Sequence, residues 1–198
     1  KVLLFNELVV YPNPSEGLFT VEILDQRSEI SIITDINHPD IGTLKRSIEV
    51  NEQRKVTILN INEIKKLDNF NLFIIYQPTQ KFSSIFNHIK NSKSNSFVIT
   101  GKHTDFNYLN SVQEDFEFKS TNQVENYGAN FNSSFNNFSQ ENIGFENFSP
   151  LENKFVSIVT KSNIQTLLSS RIRNVVLDAP LLAFTTSNQQ RDAYLFGE

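Results

Sequence analysis

Two short stretches carry the residue types from which a site could be built. His38-Pro39-Asp40 stands where an apolar run gives way to an amphipathic one, and a helix start there offers free backbone N–H groups to an anion. The same three residues suit a plain capping turn, since no glycine-rich loop lets a phosphate come close. Gly101-Lys102-His103-Thr104-Asp105 follows the run Phe97-Val98-Ile99-Thr100, where a strand-to-helix turn could hold a nucleophile between two glycines. The first glycine of that pattern is present, and Asp105 takes the place of the second. A hydrolase using a serine or threonine could be assembled from distant parts, with His103 as base and Asp40 or Asp105 orienting it. Nothing in the sequence selects its nucleophile.

Several chemistries are excluded by what the chain lacks. It has no cysteine, which removes disulfides, thiolate metal sites and a cysteine nucleophile together. His38, His88 and His103 form no pair with zinc-ligand spacing such as His-x-x-x-His, so neither a metal nor a cofactor is expected. Glu114, Asp115 and Glu117 read as hydrated acids, and His88 as a solvent-facing helix residue. Asn132-Ser133-Ser134 and Asn137-Phe138-Ser139 match the glycosylation acceptor pattern, as an Asn-rich stretch does by chance. A net charge of −4 and scattered basic residues give no footprint for nucleic acid. No apolar run reaches the roughly 20 residues that span a bilayer. Membrane attachment is therefore expected only through segments outside these 198 residues, which begin at Lys1 without Met and read as an excerpt of a longer protein.

The elements that must position these residues follow from the rhythm of apolar runs. Ile30–Ile33, Val56–Leu59, Leu72–Tyr76 and Phe97–Ile99 are short, rich in β-branched and aromatic residues, and separated by amphipathic stretches. Strands alternating with helices predict an α/β domain with a mostly parallel sheet and crossover helices. A helix is expected from Pro39, with Ile41, Leu44 and Ile48 on one face. A shorter one is expected around Ile61, Ile64 and Leu67, and the clearest from Lys81 to Lys93, with Phe82, Ile85, Phe86 and Ile89 in register. Ligands in such sheets gather at the carboxyl ends of the strands, which would bring together His38, Asp40, Gln77, Lys102, His103 and Asp105. From Thr121 to Pro150 the chain is heavy in Asn and Ser with Phe interleaved. One reading is a prion-like or disordered stretch; the other, favoured because Phe supplies burial to offset chain entropy, is a packed, irregular region. The later runs Phe155–Val159, Val175–Leu177, Leu181–Phe184 and Ala193–Phe196 are expected as antiparallel strands extending the C-terminal half. At the other end, Leu8–Ile23 reads as two strands around a Pro-Asn-Pro-Ser-Glu-Gly turn.

Residues 29–198 resemble the class I glutamine amidotransferase-like module of envelope proteins from bacteria that use type IX secretion. The likeness is carried by His38-Pro39-Asp40-Ile41, Tyr76-Gln77-Pro78-Thr79, Gly101 with Thr104-Asp105 and Leu109-Asn110, Ser149-Pro150-Leu151, Ala179-Pro180-Leu181-Leu182, and Arg191 with Gly197-Glu198. It implies a flavodoxin-like fold without the family's chemistry, since the nucleophilic cysteine is missing. Val10-Tyr11-Pro12-Asn13-Pro14 through Gly17, Phe19 and Val21 is similar to the opening of the type A sorting domain of type IX cargo, and reads also as the end of an immunoglobulin-like unit. These resemblances imply a β segment over 1–27, and over 28–198 an amidotransferase-like domain truncated at its C-terminus. They imply a non-catalytic binding module of a cell-envelope protein, on the periplasmic side or the cell surface, with another envelope protein as partner. A secreted cargo domain and a Ser/Thr hydrolase stay as alternatives.

Overall fold

The structure, a computed structural model, describes residues 8–13, 18–23, 28–64, 66–161, 164–185 and 190–198, the first two segments as backbone alone. Strands β1 (Leu8–Asn13) and β2 (Leu18–Ile23) form a separate antiparallel pair in which Leu8 faces Ile23, with β2 lying beside the first helix. The turn expected between them, Pro14–Gly17, lies outside the described residues.

The body is one mixed sheet of nine strands. Its parallel part contains β3 (Ser28–Thr34), β4 (Arg54–Asn60), β5 (Leu72–Tyr76), β6 (Asn95–Thr100) and β11 (Asp192–Phe196). The antiparallel part contains β7 (Phe116–Phe131), β8 (Leu151–Thr160), β9 (Ile164–Ile172) and β10 (Val175–Thr185). The order across the sheet is β4-β3-β5-β6-β11-β10-β9-β7-β8.

This corrects the expected fold class. A mostly parallel, flavodoxin-like α/β sheet is not what forms: four pairings are parallel and four antiparallel, and strand outweighs helix. Among the described residues the α-helices are α1 (Pro39–Glu49), α2 (Ser83–Ser92) and α3 (Phe106–Val112). Crossover helices therefore join β3 to β4 and β5 to β6, whereas the step from β4 to β5 is made without one. The helix expected around Ile61, Ile64 and Leu67 is replaced by turns. The Asn60 side chain accepts from the Asn62 backbone, the local hydrogen bond by which Asn competes with a helix. Ala193–Phe196 also differs from expectation, since β11 runs parallel to β6 and meets only β10 antiparallel.

Alternation along the strands sends side chains to two cores. Ile30, Ile32, Ile74, Tyr76, Phe97, Ile99 and Leu195 face one, which α1 closes with Ile41 and Ile48. Ile33, Phe73, Ile75, Val98, Tyr194 and Phe196 face the other, closed by Phe82, Ile85 and Ile89 around α2, and by Phe106 and Leu109 of α3. His88 packs its ring 5.5 Å from that of Phe73 and does not simply face solvent. Strand β7 bends between its pairings. Residues 128–131 lie along β9, while 116–127 pair with β8 and bring Phe116 and Phe118 over the second core. Asn110 imitates a strand along this ribbon, donating to the Phe118 carbonyl and accepting from its N–H at 2.8 Å each.

The Asn- and Phe-rich segment is part strand, up to Phe131, and part irregular. Phe145 is fully buried and stacks 5.8 Å from Phe131, while Phe135, Phe138 and Phe148 pack partly buried on the first core. Replacing Phe145 by Ala is therefore expected to lower stability by about 3–5 kcal/mol. Urea unfolding measures this, and a loss under about 1 kcal/mol would show that the segment contributes little packing.

Candidate functional site

From β3 the chain steps to one side to form β4 and then crosses back past β3 to form β5 on its other side, so the crevice at their carboxyl ends is where an open sheet offers a site. Four strand ends meet there. After β3, His38 caps α1, its Nδ1 accepting from the Asp40 N–H at 3.4 Å, with Pro39 in the first turn, where no N–H is missed. After β5 comes Gln77, after β6 the Gly101–Asp105 loop, and after β11 Gly197-Glu198.

At the centre stands the Glu198 carboxylate, with a side chain 3% exposed. Its Oε2 accepts from the Tyr76 hydroxyl at 3.1 Å and from the Gln77 amide, and its Oε1 accepts from the Lys102 backbone N–H at 3.2 Å. His38 Nε2 lies 3.6 Å from the same Oε2, and His38 Nδ1 lies 3.0 Å from the Tyr76 hydroxyl. A carboxylate withdrawn from water costs on the order of several kcal/mol unless donors surround it, and this shell supplies them. Burial pushes the Tyr76 phenol far above its usual range, with the charges of Glu198 and Asp40 acting in the same sense, so it remains a neutral donor.

Gln77 is buried and holds φ 49, the left-handed region a glutamine seldom adopts. Its amide is used at both ends, since Oε1 accepts from the His103 backbone N–H at 2.8 Å. Gly101 lets these groups meet. A Cβ there would fall 2.7 Å from Gln77 Cδ and 2.8 Å from Glu198 Cδ. Within the loop, Thr104 Oγ1 accepts from the Gly101 N–H at 2.9 Å, and the Asp105 N–H donates to the Pro78 carbonyl at 3.0 Å.

Of the sequence candidates, His38, Gln77 and Lys102 converge on Glu198, Lys102 through its backbone, and Asp40 is joined to them through His38. The Lys102 ammonium reaches out to Glu152 at 3.0 Å, and that hydrogen bond raises its pKa. His103 joins the cluster through its backbone N–H and leaves its ring exposed. Asp105 does not join: its carboxylate caps α3 by accepting from the Tyr108 N–H at 3.0 Å. The imagined His103 base therefore has Asp105 turned to a helix start and Asp40 turned to His38, 3.4 Å from Nδ1. Sequence reasoning missed Tyr76 and Glu198 as members of the site, and Glu152 on its rim. Tyr76-Gln77 and Gly197-Glu198 each end an apolar run, which was the available signal. The strained turn was expected at Gly101–Asp105 and instead lies at Gln77.

Among the described residues no cluster of three or more His, Asp or Glu is placed to hold a metal ion, and no helix is long and apolar enough to cross a membrane. No known protein family matches the chain, and no curated protein matches it.

Two outcomes test this geometry. Gly101→Ala is expected to cost about 1–3 kcal/mol, because the added methyl must displace Gln77 or Glu198; an unchanged urea midpoint would contradict the close approach. Tyr76 ionises near pH 10 when unfolded and only at higher pH when folded, so its stabilisation is complete below that pH and is lost as pH rises through the folded value. Tyr76→Phe is expected to flatten the fall in stability above about pH 10 in alkaline urea melts. Tyr194, buried and raised in the same way, keeps part of the slope. An unchanged slope would remove the phenol from this account.

Proposed function

We propose that the domain is a non-catalytic interaction module of a bacterial cell-envelope protein, and that its strand-end face is the contact surface. The observation that carries this reading is the engagement of the withdrawn Glu198 carboxylate by three donors, Tyr76, Gln77 and the Lys102 N–H. A base or nucleophile must offer a lone pair to substrate, whereas this carboxylate is withdrawn from solvent and both of its oxygens are engaged in holding three loops together. What the loops present outward is a small polar rim of Lys102, His103, Asp40 and Glu152, all open to solvent. Loops already fixed from below lose little backbone entropy on binding, which suits recognition. The envelope location rests on the amidotransferase-like and sorting-domain resemblances of the sequence, and the partner class, another envelope protein, follows from it.

The test is chemical cross-linking of the chain to envelope extracts, compared with the Lys102→Ala/His103→Ala variant. Both residues are exposed, so the variant should keep the fold, which circular dichroism checks. A specific cross-linked protein reduced by about tenfold or more in the variant is the expected result. The same protein captured equally by both would place the contact elsewhere on the surface. Labelling of the chain by a serine-reactive phosphonate would overturn the non-catalytic reading.

A further inference from the structure

A groove of about 380 Å³ lies away from the strand-end face and shares no residue with it. It runs along β9, between the β10 backbone and the loop that follows β7. Its size falls within the range of small-molecule sites, but its lining does not match their usual apolar character. Ser134, Thr160, Thr166, Ser169 and Asp178 are among the residues that line it. None of the five side chains has a hydrogen-bond partner among the described residues.

The groove is built by the irregularity of β10. Val176 pairs with Arg171 and Pro180 with Ser169, so three β10 residues stand opposite Ser170 alone. Such a bulge re-aims side chains, and here it takes Asp178, one of the lining residues, out of the ladder. Pro180 contributes no N–H to the ladder, and its carbonyl accepts from the Ser170 hydroxyl at 3.1 Å. The opposite wall is stiffened by amides that are used at both ends. Asn132 donates to the Thr166 carbonyl at 2.8 Å and accepts from the Ser134 N–H, while Gln165 exchanges both ends of its amide with Asn136. Phe135 is held from behind by Phe138 and Phe184, with ring centroids 4.8 and 5.8 Å away, and offers the groove an aromatic border.

We infer that this groove binds a neutral carbohydrate. Four hydroxyls, each donor and acceptor, together with a carboxylate that only accepts, match a ligand dense in hydroxyl groups. Among the described residues the lining holds no cation, so a phosphate or sulfate group would meet Asp178 without compensation. A mainly apolar ligand would leave the five polar side chains desolvated and unpaired. A sugar answers both constraints: its hydroxyls pair with the Ser, Thr and Asp side chains while its C–H face lies against Phe135.

The test is titration of the full chain, by isothermal calorimetry and ligand-observed NMR, with maltohexaose, cellohexaose and N-acetylchitohexaose. Asp178→Ala and Ser169→Val serve as groove variants and Lys102→Ala/His103→Ala as the control outside it. Binding of at least one oligosaccharide at about 1 mM or tighter is expected, weakened about tenfold or more by Asp178→Ala and unchanged in the control. No binding of any of the three up to about 10 mM would overturn the inference, as would binding indifferent to both groove variants. Either result leaves the strand-end reading to stand or fall on its own cross-linking experiment.

Discussion

The lateral seating of β11 is the constraint on which the rest of the structure depends. It pairs parallel with β6 on one side and antiparallel with β10 on the other, and so joins the two halves of the sheet. Both of its faces are buried, Ala193 and Leu195 in one core and Tyr194 and Phe196 in the other. The register that sets Phe196 opposite Thr100 also delivers Glu198 to the Gly101 loop. The pairing spans almost a hundred residues of chain, so it repays its loop-closure entropy only when the intervening strands are in place. The strand-end site and the two-core architecture are therefore products of one long-range contact.

At that site, three costly features support one another. Glu198 is a withdrawn carboxylate, Gln77 a strained glutamine, and Gly101 a residue whose value is the side chain it lacks. Separately, each lowers stability; together they form a network in which the donors of one satisfy the acceptors of the next. Gly197 plays a related part, since a Cβ on it would fall 2.5 Å from Leu151 Cβ, and beside it Glu198 and Glu152 exchange backbone hydrogen bonds at 2.9 Å. The last strand is thus tied at its end to β8 as well as to its lateral neighbours. A network of this kind fixes the geometry of the strand-end face.

Part of this was legible in the sequence for identifiable reasons. The run Leu72–Tyr76, apolar throughout, can only be a strand covered on both faces, and the period of Ile41, Leu44 and Ile48 after Pro39 defines a helix. His38, Asp40, Gln77 and Lys102 could be placed together because strand ends of parallel neighbours converge. Strand β9 and most of β7 were not legible. Ile164–Ile172 and Thr121–Phe131 mix small polar and apolar residues, and their strand state comes from pairing with each other and with β8 and β10. Asp105 was misplaced because a carboxylate two residues beyond a histidine looks like a catalytic partner, and only the position of α3 shows that it is a cap.

By itself the sequence determined which segments are apolar enough to be buried strands, where α1 begins, that a helix follows Pro78, and that thiol chemistry is excluded. Those properties are local: they depend on side-chain type and on spacing within a dozen residues. Only the tertiary structure decided that the sheet is half antiparallel, that Gln77 carries the strained turn, and that Glu198 lies among Tyr76, Gln77 and His38. Those depend on register and direction between strands far apart in the chain, which the packing of both sheet faces selects and no local pattern encodes.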